Sequence, residues 1–193
     1  MRILLTGATG FVGSHAAHSL SGAGHTLRLL TRSTSNLDGV EGLDYERVVG
    51  DLGDAEGLDA ACVGIDTVVH VAGVTSARRE RTFYEVNGQG TASLGQAAAK
   101  AGVKRFLYVS SLAAMGPSAF AEDPEAPPHP VTAYGSSKLA GEREIVAVGG
   151  EMEIQILRPP AVYGPRDTGL LPFFKMSRRR FVTQFGRGRN RVA

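Results

Sequence analysis

The sequence has little sulfur, no long apolar run and no clustered metal ligands. Cys62 is the only cysteine, so no internal disulfide can form, and a small buried apolar residue is the better interpretation of it. No run of about 18 apolar residues occurs, so we expect no membrane span. Because the first predicted strand begins at Arg2, we also expect no signal peptide and a reducing, cytoplasmic location.

The histidines show no spacing with acids or cysteines that is typical of zinc sites, so we expect no metal. His70 follows an apolar run, and a hydrogen-bonded core histidine is a better interpretation of it than a catalyst. Acids are absent from residues 175–193, which hold seven of the 21 basic residues. Charge alone is a non-specific signal, and we predict no nucleic-acid function for this basic stretch.

Apolar, β-branched runs alternate with helical patterns along most of the 193 residues. The predicted strands are 2–6, 26–31, 45–49, 67–71, 105–109 and 153–157. The predicted helices are 12–23, 54–62, 88–101 and 133–148. Short connections between such elements predict an α/β fold, a doubly wound and mostly parallel sheet of the Rossmann type. Ligands of this fold bind at the carboxyl ends of the strands.

A glycine-rich turn joins the first predicted strand to the first predicted helix. Gly7 permits a tight turn, Gly10 lets the backbone approach a pyrophosphate, and Gly13 lets helix and strand pack closely. The helix N-terminus adds free N–H groups and a partial positive charge. The turn therefore predicts a dinucleotide site that includes Gly7, Thr9, Gly10, Phe11, Val12 and Gly13.

Tyr134 and Lys138 lie four residues apart on a predicted helix, which places them on one face. A phenol with the ordinary pKa of about 10 is a poor acid–base catalyst at neutral pH, and a nearby cation favours the phenolate. On spacing alone, a surface pair without a function is the commoner case. The glycine turn upstream shifts the interpretation towards a catalytic pair.

Several segments, in order, resemble the extended short-chain dehydrogenase/reductase family of NAD(P)-dependent epimerases, dehydratases and reductases. Residues 6–13 look like its TGxxGxxG turn, and Tyr134 with Lys138 looks like its YxxxK pair. Residues 108–116 are similar to the family segment at the end of the fifth strand. The resemblance runs from residue 2 to about residue 165.

The resemblance implies hydride transfer between a nicotinamide and a carbinol or carbonyl carbon. Tyr134 would be the general acid–base, and Lys138 would favour its ionised form and hold the nicotinamide ribose. Ser111, selected over Ser110 by the alignment, would hydrogen-bond the substrate oxygen, although a serine there could instead satisfy the local backbone. Asn87 would tie the helix backbone to the lysine region or serve as a helix N-cap.

Other segments resemble cofactor-binding positions of the family. Asp51 with Leu52 resembles an acidic–hydrophobic pair beside the adenine, although Asp51 could instead end a strand or cap a helix. The backbone that would lie along the cofactor consists of Val71, Ala72 and Gly73. The loop that would cover the nicotinamide end contains Pro159, Pro160 and Val162.

The end of the second predicted strand bears on the choice of cofactor. An acid there would accept hydrogen bonds from a ribose 2′-OH and favour NAD. This strand instead ends in Arg32, with no acid before Asp38. Arg32 offers a cationic fork to a 2′-phosphate, and Ser33 and Thr34 can also donate. We predict NADP, with NAD and a plain surface role for Arg32 left open.

Residues 1–165 are predicted to form a dinucleotide-binding Rossmann domain. Family members are usually longer, so residues 166–193 are expected to begin a truncated substrate-binding region, whose exposed apolar surface favours association and leaves a homodimer open. The resemblance implies an NADP-dependent oxidoreductase or epimerase acting on a small carbonyl or alcohol, or on a nucleotide sugar. The alternative is a non-catalytic dinucleotide-binding module, which would not need Ser111, Tyr134 and Lys138 together.

Overall fold

The computed structural model describes residues 1–117 and 127–178, in which six parallel strands form one sheet. The strands are β1 (Arg2–Thr6), β2 (Thr26–Thr31), β3 (Tyr45–Val49), β4 (Thr67–His70), β5 (Arg105–Val109) and β6 (Glu153–Leu157). Their order is β3-β2-β1-β4-β5-β6, and every neighbouring pair is parallel. The order reverses between β1 and β4, where a doubly wound sheet opens a crevice for a ligand. The predicted fold class is confirmed.

Helices connect the strands over most of this length. They are α1 (Phe11–Gly22), α2 (Ala55–Cys62), α3 (Glu80–Phe83), α4 (Gly90–Lys100), α5 (Ala133–Val148) and α6 (Leu171–Arg178). A π-helical turn, Tyr84–Gln89, joins α3 to α4 into one continuous helical segment. The prediction of a helix beginning at residue 88 is therefore wrong at its start. Arg79, at the N-cap of α3, makes no side-chain capping bond that would mark the true beginning.

The sheet buries apolar side chains on both faces, as parallel sheets do. Leu4 belongs to one core with Phe106 and Tyr108, whereas its neighbours Ile3 and Leu5 belong to the core on the opposite face. This alternation follows from the two-residue period of a strand.

Cys62 lies in the core that contains Leu4, and burial raises the pKa of its thiol to about 11. A thiol in such a site stays protonated at neutral pH and packs as a small apolar side chain. This agrees with the interpretation from the sequence.

Among the described residues, those up to 159 belong to one compact unit and residues 160–178 to a second. Within the second unit, the ring of Tyr163 packs against Phe174 of α6, with the centroids 5.8 Å apart. The basic residues from Arg179 onwards lie outside the described part of the chain. Within residues 1–117 and 127–178, no helix has both the length and the apolar character needed to cross a bilayer.

Candidate functional site

The glycine turn between β1 and α1 is shaped by two close backbone approaches. Gly7 has φ +74°, and a Cβ there would lie 2.6 Å from the backbone N of Ala72. A Cβ on Gly13 would lie 2.0 Å from the carbonyl oxygen of Gly7. A Cβ on Gly10 would only reach ordinary contact, 3.4 Å from that same oxygen. Packing therefore excludes a side chain at Gly7 and Gly13. At Gly10, the lack of a side chain allows a ligand to approach the backbone closely.

The N-terminus of α1 has no side-chain cap. Gly10 is the N-cap residue, and the first turn contains no acid. The N–H groups of a first helical turn have no partner within the helix, and together with the helix dipole they attract an anion. Thr9, Phe11 and Val12 are half-buried around this end. These features fit the pyrophosphate of a dinucleotide.

A shallow cleft of about 290 Å³ lies at the carboxyl ends of β2 and β3, lined by Arg32, Ser33, Thr34, Val49, Gly50, Asp51 and Asp54. The Arg32 side chain is exposed and, within the described part of the chain, its guanidinium makes no hydrogen bond or ion pair. Its backbone carbonyl is held by Arg47, which donates from Nη2 at 3.2 Å. An unpaired guanidinium beside two hydroxyl donors suits a phosphate.

Asp51 and Leu52 form the turn between β3 and α2. The Asp51 carboxylate is exposed and accepts a hydrogen bond from Gly53 N at 2.8 Å. The helix cap is Asp54, whose side chain accepts from Gly57 N, so the alternative in which Asp51 caps the helix is wrong. A Cβ on Gly90 would lie 2.9 Å from the Leu52 Cβ, so Leu52 packs against the start of α4.

A buried hydrogen-bond chain runs behind the site from the turn to α4. Ala72 N–H donates to Thr6 Oγ1 at 3.2 Å, and the Thr6 hydroxyl lies 2.6 Å from His70 Nδ1. Nε2 of His70 lies 3.0 Å from Thr91 Oγ1, which donates to the carbonyl of Asn87 at 2.7 Å. One direction satisfies the whole chain, with the proton of His70 on Nε2 and Nδ1 accepting.

The direction of this chain requires a neutral His70. Burial lowers the pKa of the imidazole to about 3, and the positive charge of Lys138 acts in the same direction. The side chain is fully buried and bonded at both ring nitrogens. His70 is therefore the satisfied core histidine that the sequence predicts.

Asn87 lies in the π-helical turn, where its side chain is wholly buried and fully bonded. Its Oδ1 accepts from Val74 N at 2.9 Å, while Nδ2 donates to Val74 O and to Ser137 Oγ, each at 3.0 Å. A Cβ on Gly73 would lie 2.9 Å from Asn87 Oδ1. The N-cap alternative is wrong, because the helix is continuous here. Asn87 ties the loop after β4 to α5, one residue before Lys138.

Lys138 is buried at the carboxyl end of β5, with 3% of its surface exposed. Its Nζ donates to Val109 O at 2.9 Å and lies 4.2 Å from the centroid of the Tyr108 ring. Burial lowers the pKa of this ammonium to about 8, against the opposing effect of Glu142. A buried cation at this edge of the sheet is a functional-site candidate.

Tyr134 lies in the first turn of α5, which Thr132 caps by accepting from Gly135 N at 3.0 Å. Its half-buried ring meets the edge of Phe83, with the centroids 6.2 Å apart. Ser111 follows β5, and its Oγ accepts from Ala113 N at 3.2 Å. This local backbone bond is the alternative role that the sequence offered for Ser111. Because Oγ is the acceptor in it, the hydroxyl proton of Ser111 is still available to donate.

The structure brings most of the predicted residues to one edge of the sheet. Within residues 1–159, the glycine turn follows β1, the Arg32 cleft follows β2 and β3, and Val71–Gly73 follows β4. Ser111 follows β5, and Pro159, after β6, accepts a hydrogen bond from Leu112 N at 2.9 Å. Pro160 and Val162 belong to the second unit and are exposed.

A family model for NAD dependent epimerases/dehydratases matches residues 3–191. The chain belongs to this family. The curated proteins that the chain resembles include a reductase and an epimerase. It is 38% identical over 177 residues to a ceramide reductase of Caulobacter vibrioides, covering 92% of this chain and 51% of that protein. It is 35% identical over 178 residues to a UDP-glucose 4-epimerase of Vibrio cholerae, covering 84% and 52% respectively.

Solved structures agree with this assignment to the epimerase/dehydratase family. The crystal structure of DesIV, a dTDP-glucose 4,6-dehydratase from Streptomyces venezuelae with NAD bound, superposes with a TM-score of 0.83 at 28% identity. The match covers 93% of this chain and 62% of DesIV. The chain thus spans about half the length of these curated relatives.

Proposed function

We propose that this chain carries the cofactor-binding and proton-transfer part of an NADP-dependent oxidoreductase or epimerase. The observation that carries the proposal is the meeting of two features at one sheet edge. One is the uncapped α1 N-terminus behind a glycine turn, and the other is the buried Lys138 on the helix of Tyr134. The relatives named as a reductase, an epimerase and a dehydratase support it.

Each residue has a specific task in this proposal. The first-turn N–H groups of α1 bind the pyrophosphate, and Asp51 accepts from the adenine amine. A bound nicotinamide would give or take a hydride at the substrate carbon. Tyr134 exchanges a proton with the substrate oxygen, and Ser111 donates a hydrogen bond to that oxygen. Lys138 holds the nicotinamide ribose.

Replacement of Tyr134 by phenylalanine tests the proton transfer. We expect the folded Tyr134→Phe variant to keep its affinity for NADPH and to lose about 10²-fold or more in turnover. Tyr45→Phe, the same change on β3, is the matched control. Its NADPH affinity and turnover should equal those of the wild type. The assay follows NADPH oxidation with a panel of ketones and epimerisation of a nucleotide sugar.

Two outcomes of that assay would contradict the proposal. Unchanged turnover in Tyr134→Phe would remove this residue from the chemistry. Tight NADPH binding by the wild type, with no turnover of any substrate, would favour a non-catalytic binding module in place of an enzyme.

The preference for NADP depends on Arg32. A charge-assisted hydrogen bond to a phosphate contributes about 1.5–3 kcal/mol, so Arg32→Ala should weaken NADPH binding by about 10-fold to 150-fold. NADH binding should not change, because NADH has no 2′-phosphate. Arg143→Ala, an exposed arginine on α5, is the control. The neighbour DesIV holds NAD, so a preference for NADP in this chain has to be measured. Fluorescence titration of the wild type measures both affinities, and equal affinities for NADPH and NADH would refute the preference.

A further inference from the structure

Glu142 is a buried carboxylate to which the proposed chemistry assigns no task. It lies on α5, four residues beyond Lys138 and eight beyond Tyr134, so the three share one face of the helix. Its side chain is 4% exposed. A buried charge is costly unless it is paired and hydrogen-bonded. Arg158 supplies the pair, donating from Nε to one carboxylate oxygen at 2.9 Å and from Nη2 to the other at 2.6 Å.

The second partner of Glu142 is Ser110, whose buried hydroxyl donates to Oε1. Ser110 and Arg158 directly follow β5 and β6, so Glu142 joins α5 to the carboxyl ends of both strands. The backbone continues the pairing there, because Ser110 N donates to Leu157 O at 2.7 Å. The next backbone bond between these two segments, from Leu112 N to Pro159 O, comes after Ser111 in the sequence.

This anchoring acts, together with the bond from Ala113 N, on where the Ser111 side chain lies. The backbone of Ser111 is extended, with φ −159° and ψ 149°. Successive side chains of an extended backbone point to opposite sides. Because the Ser110 hydroxyl is drawn inwards to Glu142, the Ser111 hydroxyl is turned to the other side. This network is therefore a structural reason why the resemblance assigns the substrate contact to Ser111 and not to Ser110.

Glu142 also acts on Lys138 through its charge. Among the described residues, the charged or titratable groups that act on or contact Lys138 are Glu142 on α5, His70 on β4 and Tyr108 on β5, and Glu142 is itself paired with Arg158. His70 and Tyr108 are both neutral in this site, because burial lowers the pKa of His70 and raises that of Tyr108. Burial favours the loss of the Lys138 proton, and the negative charge of Glu142 opposes that loss.

We propose that Glu142 is a positioning residue, which turns Ser111 towards the substrate through Ser110 and Arg158 and places its negative charge one helical turn from Lys138. The inference rests on the proposed function of this site. Its structural part concerns the ligand-free protein and can be measured without cofactor or turnover.

The experiment is a lysine side-chain NMR titration of the full chain, comparing wild type with Glu142→Gln. The chain has four lysines, and only Lys138 is buried, so a Lys138→Arg variant assigns its signal. An opposite charge nearby shifts a titration by about one unit or more, so the midpoint of Lys138 should fall by about one pH unit in Glu142→Gln. The amide signals of residues 110–112 should also move. Glu144→Gln, the same change at an exposed site of α5, should alter neither.

A further variant separates charge from packing. Glu142→Asp keeps the charge, and it should leave the Lys138 midpoint near that of the wild type. Equal shifts in Glu142→Asp and Glu142→Gln would overturn the proposal, as would no shift in Glu142→Gln. Far-ultraviolet circular dichroism verifies that each variant is folded.

Kinetics supply an independent arm. In Glu142→Gln, the decline of kcat at high pH should begin at lower pH than in the wild type, and an unmoved decline would count against the inference. A wild type without turnover would instead contradict the proposed function, while the NMR result would still decide the role of Glu142.

Discussion

Acidification should destabilise this fold through His70, beside the effect of its carboxylates. The pKa of its imidazole is about 3 in the folded protein against an ordinary value of 6.5. Between these values the unfolded chain binds a proton that the folded protein does not. The free energy of unfolding therefore falls as the pH falls below about 6.5, by up to about 1.4 kcal/mol per pH unit. The contribution at pH 5 is a loss of about 2 kcal/mol relative to pH 7.5.

The cause of this loss is the donor-to-acceptor direction of the buried hydrogen bonds on either side of His70. Nδ1 of His70 accepts from the Thr6 hydroxyl, and Thr6 in turn accepts from Ala72 N–H beside the glycine turn. Protonation of Nδ1 would place two donors against each other and add an uncompensated charge to the core. Acid should therefore destabilise the glycine turn and the Asn87 region together.

Urea unfolding at several pH values measures this effect. Carboxylates also titrate in this range, so the informative quantity is the difference from His70→Gln, which should lose about 2 kcal/mol less than the wild type between pH 7.5 and pH 5. His25→Gln is the matched control, because His25 makes none of these bonds. Parallel curves for wild type and His70→Gln, or a His70 ring signal that titrates near pH 6.5 in NMR, would refute the reasoning.

Four further predictions concern the turn, a helix cap and the thiol. Gly13→Ala should prevent stable folding, because its Cβ would lie 2.0 Å from Gly7 O, and circular dichroism would show this. Gly10→Ala should fold normally, since its Cβ would lie 3.4 Å from the same atom, yet should bind NADPH more weakly by about tenfold in a fluorescence titration. Asp54→Ala should lower the urea-derived free energy of unfolding by about 1 kcal/mol through loss of the α2 cap. Cys62 should react with a thiol reagent at pH 8 only after unfolding, because it is buried and its pKa is raised to about 11.

The strands could be predicted from the sequence because their signals are local. Apolar runs end at glycine or polar residues, and these ends predict the bounds of five strands as the structure has them: β1, β2, β3, β5 and β6. The remaining strand, β4, is one residue shorter than predicted. The helical segment before Gly88 could not be predicted in this way. Its residues are mostly polar and its N-cap makes no side-chain bond, while the glycines at 88 and 90 obscure the helical period.

The candidate site was predictable only where a short motif carries it. The glycine turn and the Tyr134–Lys138 spacing are readable along the chain. The bonds of Glu142 to Ser110 and Arg158 join residues 32 and 16 positions apart and exist only in the folded chain. A signal was present in the spacing of Glu142, one helical turn beyond Lys138. The sequence left two roles open for Asn87 for the same reason, because its partners Val74 and Ser137 come from distant segments.

The measurement that tests the central claim most directly is amide NMR of the labelled full chain during titration with NADPH. The account predicts saturable shifts at the backbone amides of Phe11, Val12 and Gly13, at Arg32 beside the cleft, and at Ser111 near the end of β5. Binding that leaves these amides unmoved and perturbs the amino-terminal edge of the sheet instead would contradict it.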